Sequence, residues 1–311
     1  MSFASEIKSE LLRIENKNQC CSRAELCGLV LFGGAVLPGG KLRVFTENAA
    51  TARRCFSLIK DAFGVSGEIV TNHSRAGKGG NAYAIMVEGS GDALRILSGL
   101  GLLQKHTISF RVQDSIITNP CCRRAFLRGA FLGGGSVANP EKEYHLELTT
   151  PRQMLAEDTV QVFDTFGLTA RTVQRKKAQV IYFKSSTEIG DVLNIIGAHT
   201  AYMELMNVRI LKETRNKVNR QVNCETANLD KALEAAQSQV EAIRLLEKKG
   251  KLQTLSPGLL EAAELRLAYP EAPLSELAEM LQITKSGINH RMRRLVAMGE
   301  ECKNGADRKK E

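Results

Sequence analysis

Apolar and polar residues run in the same order twice along the first two-thirds of the chain. Residues 20–36, CCSRAELCGLVLFGGAV, return 101 positions later as residues 121–137, CCRRAFLRGAFLGGGSV. Both Cys pairs coincide, as do Arg23/Arg124, Ala24/Ala125, Leu26/Leu127, Gly28/Gly129, Leu31/Leu132, Gly33/Gly134, Gly34/Gly135 and Val36/Val137. Matching of that density marks an internal repeat. Further on, IKDAFGV (59–65) is echoed by VFDTFGL (162–168), each closing an amphipathic helical stretch with a Gly suited to a helix C-cap. Runs rich in Val, Ile, Tyr, Phe or Thr follow, at 67–73 and 82–88 and again at 170–175 and 178–184, and predict strands. A last helix is expected at about 90–100 and 186–197. Each copy thus reads helix, strand, helix, two strands, helix.

Gly28 and Gly129 fall inside their helices, where Gly costs about 1 kcal/mol relative to Ala. Their recurrence predicts two helices meeting backbone to backbone. Gly33-Gly34 and Gly133-Gly134-Gly135 would end those helices and open a strand. The expected picture is two half-domains about a pseudo-twofold axis, with these helices as the seam.

The C-terminal third changes period. No Pro or Gly interrupts residues 200–249. Arg209, Lys212, Arg215, Lys217 and Arg220 gather there against Glu213, which reads most simply as a solvated helix face. Leu229, Leu233, Ala236, Val240, Ile243 and Leu246 recur at helical spacing, predicting a helix that leads into a second domain. Residues 250–256 form a loop, and Pro257 suits the first position of a helix at 257–268. A second helix spans Leu274 to Leu281, with Ser275 as its N-cap. A third runs from Lys285 to Gly299. The connection Gln282-Ile283-Thr284 has the length of a helix-turn-helix turn. Leu277, Leu281, Ile283, Ile288, Met292 and Leu295 supply its core, with Ala278 at the crossing. Many such turns carry Gly where this chain has Gln282, so a left-handed backbone or an altered turn is expected there.

The fold class is therefore α+β: a double αββαββα domain followed by an all-α helix-turn-helix domain. The boundaries read 1–19 for an N-terminal helix, 20–225 for the double domain (halves about 20–112 and 121–225) and 226–256 for a helical linker. The helix-turn-helix takes 257–300, and 301–311 is a disordered charged tail.

Charge then points to a partner. A formal net charge of +9 favours an anionic ligand, nucleic acid above all. With 311 residues the chain is long enough for two domains. It has no transmembrane run and no secretory leader, so a cytoplasmic, nucleoid-associated protein with reduced thiols is expected. In the third C-terminal helix, Lys285, Ser286, Asn289, His290, Arg291, Arg293 and Arg294 lie off the apolar stripe, with no acid before Glu300. Ser286, Asn289 and His290 are placed nearest base edges, because a recognition helix presents its N-terminal residues and Asn reads adenine. Arg291, Arg293 and Arg294 are assigned to phosphates. Ser275 and Thr284 complete the candidate double-stranded-DNA site. A basic hairpin in the second copy adds Arg171, Arg175, Lys176, Lys177 and Lys184 with no acid between them. Two readings of it stay open, a phosphate-contacting edge and a solvated tip. The first copy offers the less basic His73, Arg75 and Lys78.

Eight cysteines include the adjacent pairs Cys20-Cys21 and Cys121-Cys122. A four-thiolate zinc site would require the pseudo-twofold to bring the pairs together. The CC spacing departs from C-x₂-C, so the reading is packing, with no metal and no cofactor. Cys27, Cys55, Cys224 and Cys302 add nothing to it.

The windows LCGLVLFGG (Leu26 to Gly34) and LRGAFLGGG (Leu127 to Gly135) resemble the LAGLIDADG motif of homing endonucleases. That resemblance implies two αββαββα halves whose sheets form a DNA saddle. It also implies an acidic metal ligand at the eighth motif position, which here is Gly33 and Gly134, with Leu31 and Leu132 at the sixth. Mg²⁺ needs oxygen ligands, so no nuclease is expected. With the C-terminal LSELAEML and TKSGINHRMRRL, nearly the whole chain resembles the bacterial WhiA family. The resemblance implies a non-catalytic regulator of division, chromosome-segregation and sporulation genes. Its implied partners are DNA and a sigma factor of RNA polymerase or an iron–sulfur co-regulator. The alternative is a nucleoid or division scaffold that binds DNA mainly without sequence preference.

Overall fold

A computed structural model describes residues 2–72, 82–104 and 107–307. The chain divides into two compact units, Met1–Lys212 and Glu213–Glu311.

The first unit opens with α1 (Phe3–Leu11) and then repeats one plan twice. The first copy comprises α2 (Gln19–Gly33), β1 (Gly34–Leu37), β2 (Lys41–Thr46), α3 (Ala49–Phe63), β3 (Glu68–Asn72), β4 (Ala82–Val87) and α4 (Ser90–Gly99). A short ladder of β5 (Leu103–Gln104) and β6 (Thr107–Ile108) follows. The second copy comprises α5 (Pro120–Gly134), β7 (Gly135–Val137), β8 (Leu146–Thr150), α6 (Gln153–Asp164), β9 (Arg171–Arg175), β10 (Ala178–Phe183) and α7 (Ser186–Ile196). Each motif helix is followed by a pair of strands, where the local pattern predicted one. The second of these, β2 and β8, alternates buried residues with half-buried or exposed ones as a one-sided strand does. The two sheets share the antiparallel orders β1-β2-β4-β3 and β7-β8-β10-β9. Asn48 caps α3 by accepting from the Ala50 and Thr51 N–H groups, and Gly64 closes it in the left-handed conformation. In the second copy α6 ends earlier, at Asp164, and Gly167 turns the chain just beyond it.

Helices α2 and α5 are buried along most of their length and form the seam. A Cβ on Gly28 would strike the Phe126 carbonyl oxygen and come within 2.6 Å of the Ala130 nitrogen. One on Gly129 would strike the Glu25 carbonyl oxygen. Both glycines are therefore there for backbone approach.

Helix α8 (His199–Lys248) is continuous for 50 residues. Every side chain from 213 to 235 is exposed, including Leu229 and Leu233 of the expected apolar stripe. The division between units thus falls earlier than residue 225. Ala236, Val240, Ile243 and Leu246 are buried, and Ile243 and Leu246 join the C-terminal core, so this stretch is part of the second unit. No helix among the described residues is long and apolar enough to cross a membrane.

The second unit adds α9 (Pro257–Ala268), α10 (Leu274–Met280) and α11 (Lys285–Asp307) after a short 3₁₀ turn at Leu252–Thr254. The last helix runs past Gly299, so residues 301–307 of the expected disordered tail are helical.

Candidate nucleic-acid interface

The helix-turn-helix closes around Leu277, Ala278, Ile288, Met292 and Leu295, with Leu259, Ala262 and Ala263 of α9 behind them and Leu281 and Ile283 at the margin. After α10 the backbone bends through Gln282, whose φ of 51° is left-handed. The Gln282 N–H donates to Glu279 O at 3.0 Å, and the Ile283 N–H donates to Ala278 O at 2.9 Å. These bonds terminate α10 and offset the strain of a non-glycine residue there. Thr284 then caps α11, its Oγ1 accepting from the Gly287 N–H at 3.1 Å.

This closure fixes what α11 presents. Ile288, Met292 and Leu295 point inward, and at 3.6 residues per turn Ser286, His290 and Arg293 centre the opposite face. Lys285 and Arg294 flank them, exposed, and Asn289 is half-buried at the margin. None of these six side chains makes a hydrogen bond or ion pair among the described residues, so all are available to a ligand. Two expected members of the set are placed otherwise. Arg291 is half-buried and donates to Gly258 O at 3.0 Å, tying α11 to the start of α9. Ser275 is not an N-cap: Pro273 holds that position and Ser275 lies in the first turn of α10, exposed. Thr284 is exposed, but its hydroxyl oxygen is engaged as the cap.

In the first unit, β9 is an edge strand with all five residues exposed. Register places Arg171 opposite Tyr182 and Arg175 opposite Ala178. Arg175 lies 3.3 Å from Glu147 Oε2, and Glu147 also contacts His145, so an acid from β8 neutralises part of the basic hairpin. The pattern along one hairpin could not show this cross-strand partner. Lys176 makes the turn with φ 54°. Lys177 and Lys184 are exposed, and Lys184 Nζ stands 5.5 Å from the centre of the Tyr182 ring. His73, Arg75 and Lys78 lie outside the described residues.

The motif ends carry no carboxylate. A Cβ on Gly33 would sit 2.7 Å from Phe45 O, and one on Gly134 2.7 Å from Thr149 O and 2.9 Å from Phe32 Cδ1. Sequence reasoning also missed Arg152, whose guanidinium donates to Leu31 O and Gly34 O at 2.7 Å each and stacks on the Phe110 ring. A fixed cation therefore sits at the end of α2. Installing acids there, as Gly33→Asp with Gly134→Asp, is expected to give no Mg²⁺-dependent DNA cleavage and to lower stability by about 1–3 kcal/mol per site. A plasmid-nicking assay beside a thermal melt checks it; metal-dependent nicking at wild-type stability would refute it.

A buried polar network was also missed. Glu25 is fully buried and accepts from Arg54 Nε at 2.8 Å, from Asn16 Nδ2 at 2.7 Å and from Arg128 Nε at 3.1 Å. Arg128 further donates to Asn16 Oδ1 at 2.6 Å and to Ile196 O at 3.3 Å. The network joins α2 to α5 and α3 and to the end of α7. Its signal in the sequence was two opposite charges, Glu25 just before one motif window and Arg128 inside the other, amid otherwise apolar positions. The Cys20-Cys21 and Cys121-Cys122 pairs do come together, at the N-terminal ends of α2 and α5.

Three family profiles match successive parts of the chain: the WhiA N-terminal LAGLIDADG-like domain over residues 19–103, the WhiA LAGLIDADG-like domain over 123–215 and the WhiA C-terminal HTH domain over 218–299. The chain is 43% identical to the probable cell division protein WhiA of Alkaliphilus metalliredigens, over 95% of this chain and 96% of that one. It is 41% identical to that of Clostridium perfringens, over 98% and 99%. The crystal structure of full-length WhiA from Thermotoga maritima shares the fold, with a TM-score of 0.62 at 24% identity over 97% of this chain and 99% of that one.

Proposed function

The chain belongs to the WhiA family, and from that premise we propose that it is a non-catalytic, DNA-binding regulator that acts on cell division. The observation that carries this reading is the outer face of α11. Lys285, Arg293 and Arg294 are exposed there beside Ser286, Asn289 and His290, and none is consumed by an internal partner. Asn289 and Ser286 have the donor and acceptor groups to read base edges, and the lysine and arginines suit phosphates. Arg291 is left out of the contact set, since it holds α9. The reading as non-catalytic rests on Gly33, Gly134 and Arg152: glycine stands at both motif positions where the resemblance implies a carboxylate, and a guanidinium is bonded to the end of α2.

Arg293→Ala with Arg294→Ala is expected to weaken binding to every duplex tested and to reduce the slope of log K against log salt by roughly two, about one for each lost phosphate contact. The exposed side chains leave the fold intact, so the melting temperature should not move. Unchanged affinity and slope would exclude α11 as the DNA surface. Regulation of chosen genes further requires that some genomic sites be bound at least about 10³-fold more tightly than bulk DNA. Chromatin immunoprecipitation of the wild type beside the double variant checks this. A flat profile would favour a nucleoid-binding or scaffolding role.

A further inference from the structure

The cysteine pairs form a cluster that neither the fold nor the DNA-binding reading uses. Cys20 and Cys21 occupy the first turn of α2, and Cys121 and Cys122 occupy the first turn of α5. All four Sγ atoms lie within 4.8 Å of one another. Cys21 and Cys122 are buried, while Cys20 and Cys121 are exposed, so packing accounts for only half the set. We propose that these four thiols form a tetrahedral Zn²⁺ site that ties the two halves of the first unit together at the seam.

The size of the cluster selects the ligand. With Zn–S bonds of about 2.3 Å, a tetrahedron of thiolates has edges of roughly 3.8 Å. Side-chain rotations that move the sulfurs by less than about 1 Å would close the present cluster onto one ion. An iron–sulfur cluster is several atoms across and needs its thiolates spread wider. Four thiolates in a tetrahedron suit Zn²⁺ over the harder divalent cations. The CC spacing, which argues against one pair gripping an ion alone, matters less here: each pair supplies two ligands from a helix end, and the second pair completes the set.

The surroundings favour the charge that would result. Four thiolates around Zn²⁺ carry a net charge of −2. Both helices point their N-termini, the positive ends of their dipoles, at the cluster. Their N-cap residues, Asn18 and Asn119, make no side-chain cap bond; the Cys21 and Cys122 N–H groups donate to the cap carbonyls, and the Cys20 and Cys121 N–H groups are left to face sulfur. Lys17 and Arg124, both exposed, line the adjoining open cavity of about 610 Å³ together with Cys21 and Cys121, and Glu15 is the one acid in that lining. On binding, each S–H bond is exchanged for an S–Zn bond and its proton passes to solvent.

The test uses the full chain, purified under reducing conditions with added Zn²⁺ and dialysed against a weak chelator. About one Zn²⁺ per chain is expected, together with a melting temperature that falls when a strong chelator removes it. Co²⁺ in place of Zn²⁺ should give the visible bands of a tetrahedral, thiolate-rich site. Cys20→Ser with Cys121→Ser, whose side chains are exposed and whose loss leaves the core intact, should reduce bound Zn²⁺ to below about 0.1 per chain and abolish both the Co²⁺ spectrum and the chelator effect. Cys224→Ser with Cys302→Ser should change none of these. Zn²⁺ retained by the Cys20/Cys121 variant, an octahedral Co²⁺ spectrum, or a metal-free wild type would each overturn the proposal. So would mass spectrometry that finds the pairs joined as disulfides under the same conditions.

Discussion

Replacing Glu25 with Ala is expected to destabilise the first unit by about 3–5 kcal/mol, the range for removing one partner of a buried ion pair. The reason is what remains. Arg128 and Arg54 would keep their charges with side chains 9% and 18% exposed, and Asn16 would lose its acceptor. For a unit of this size the melting temperature should fall by roughly 6–20 °C. Glu25→Gln keeps the volume and one acceptor but leaves the same two cations without an anion, so it should lose most of the same stability. Removing the charges together is a different experiment. Glu25→Leu with Arg54→Leu and Arg128→Met should recover most of the loss, because well-packed apolar groups replace a buried network at little net cost. Thermal unfolding of the three variants decides it. A shift below about 2 °C for Glu25→Ala would mean that water reaches the arginines and the network is not closed.

The second large effect is expected at Gly129. Valine there would drive its side chain into the Glu25 carbonyl, on the backbone of the neighbouring motif helix, where no side-chain rotation can relieve it. The two helices would have to separate, opening the buried seam between the halves. Loss of the cooperative unfolding transition is expected. The sharper measurement is Gly129→Ala. In an unconstrained helix that change gains about 1 kcal/mol. Here it should lose several, because even a methyl group collides. Gly91, in the first turn of α4 with nothing near its missing Cβ, is the control, and Gly91→Ala should be neutral or stabilising. Were both alanine variants to stabilise, the seam would have to be looser than the glycines indicate.

What the sequence disclosed and what it withheld divide along physical lines. The repeat, the seam glycines and the helix-turn-helix were legible because they rest on local spacing: periods of about 3.6 and 2, and glycines placed where backbones meet or turn. Gln282 was legible too, since a three-residue turn requires a left-handed residue and that position carries no Gly. Withheld were features set by partners far along the chain. Arg291 reads as a free cation until α9 presents the Gly258 carbonyl to it. Arg175 reads as unpaired until β8 brings Glu147 alongside. Arg152 shows no sign in the sequence that it ends on α2. The cysteine pairs looked like packing residues because two adjacent thiols cannot encircle an ion, and only the pairing of α2 with α5 supplies the other two. Among the candidate DNA contacts, those on the outer face of α11 came from periodicity alone; Ser275 and Thr284 needed knowledge of which residue does the capping.

Gly33 and Gly134 bear on redesign as well as on chemistry. Where a scaffold lacks only the ligand itself, one substitution can supply it. In this chain the strand carbonyls of Phe45 and Thr149 stand in the space a side chain would need. A carboxylate installed at either position would meet backbone before it met a cation, and Arg152 would remain bonded to the end of α2. Giving the motif ends a metal ligand therefore takes coordinated changes in two layers, the helix end and the strand behind it, and no single substitution supplies both.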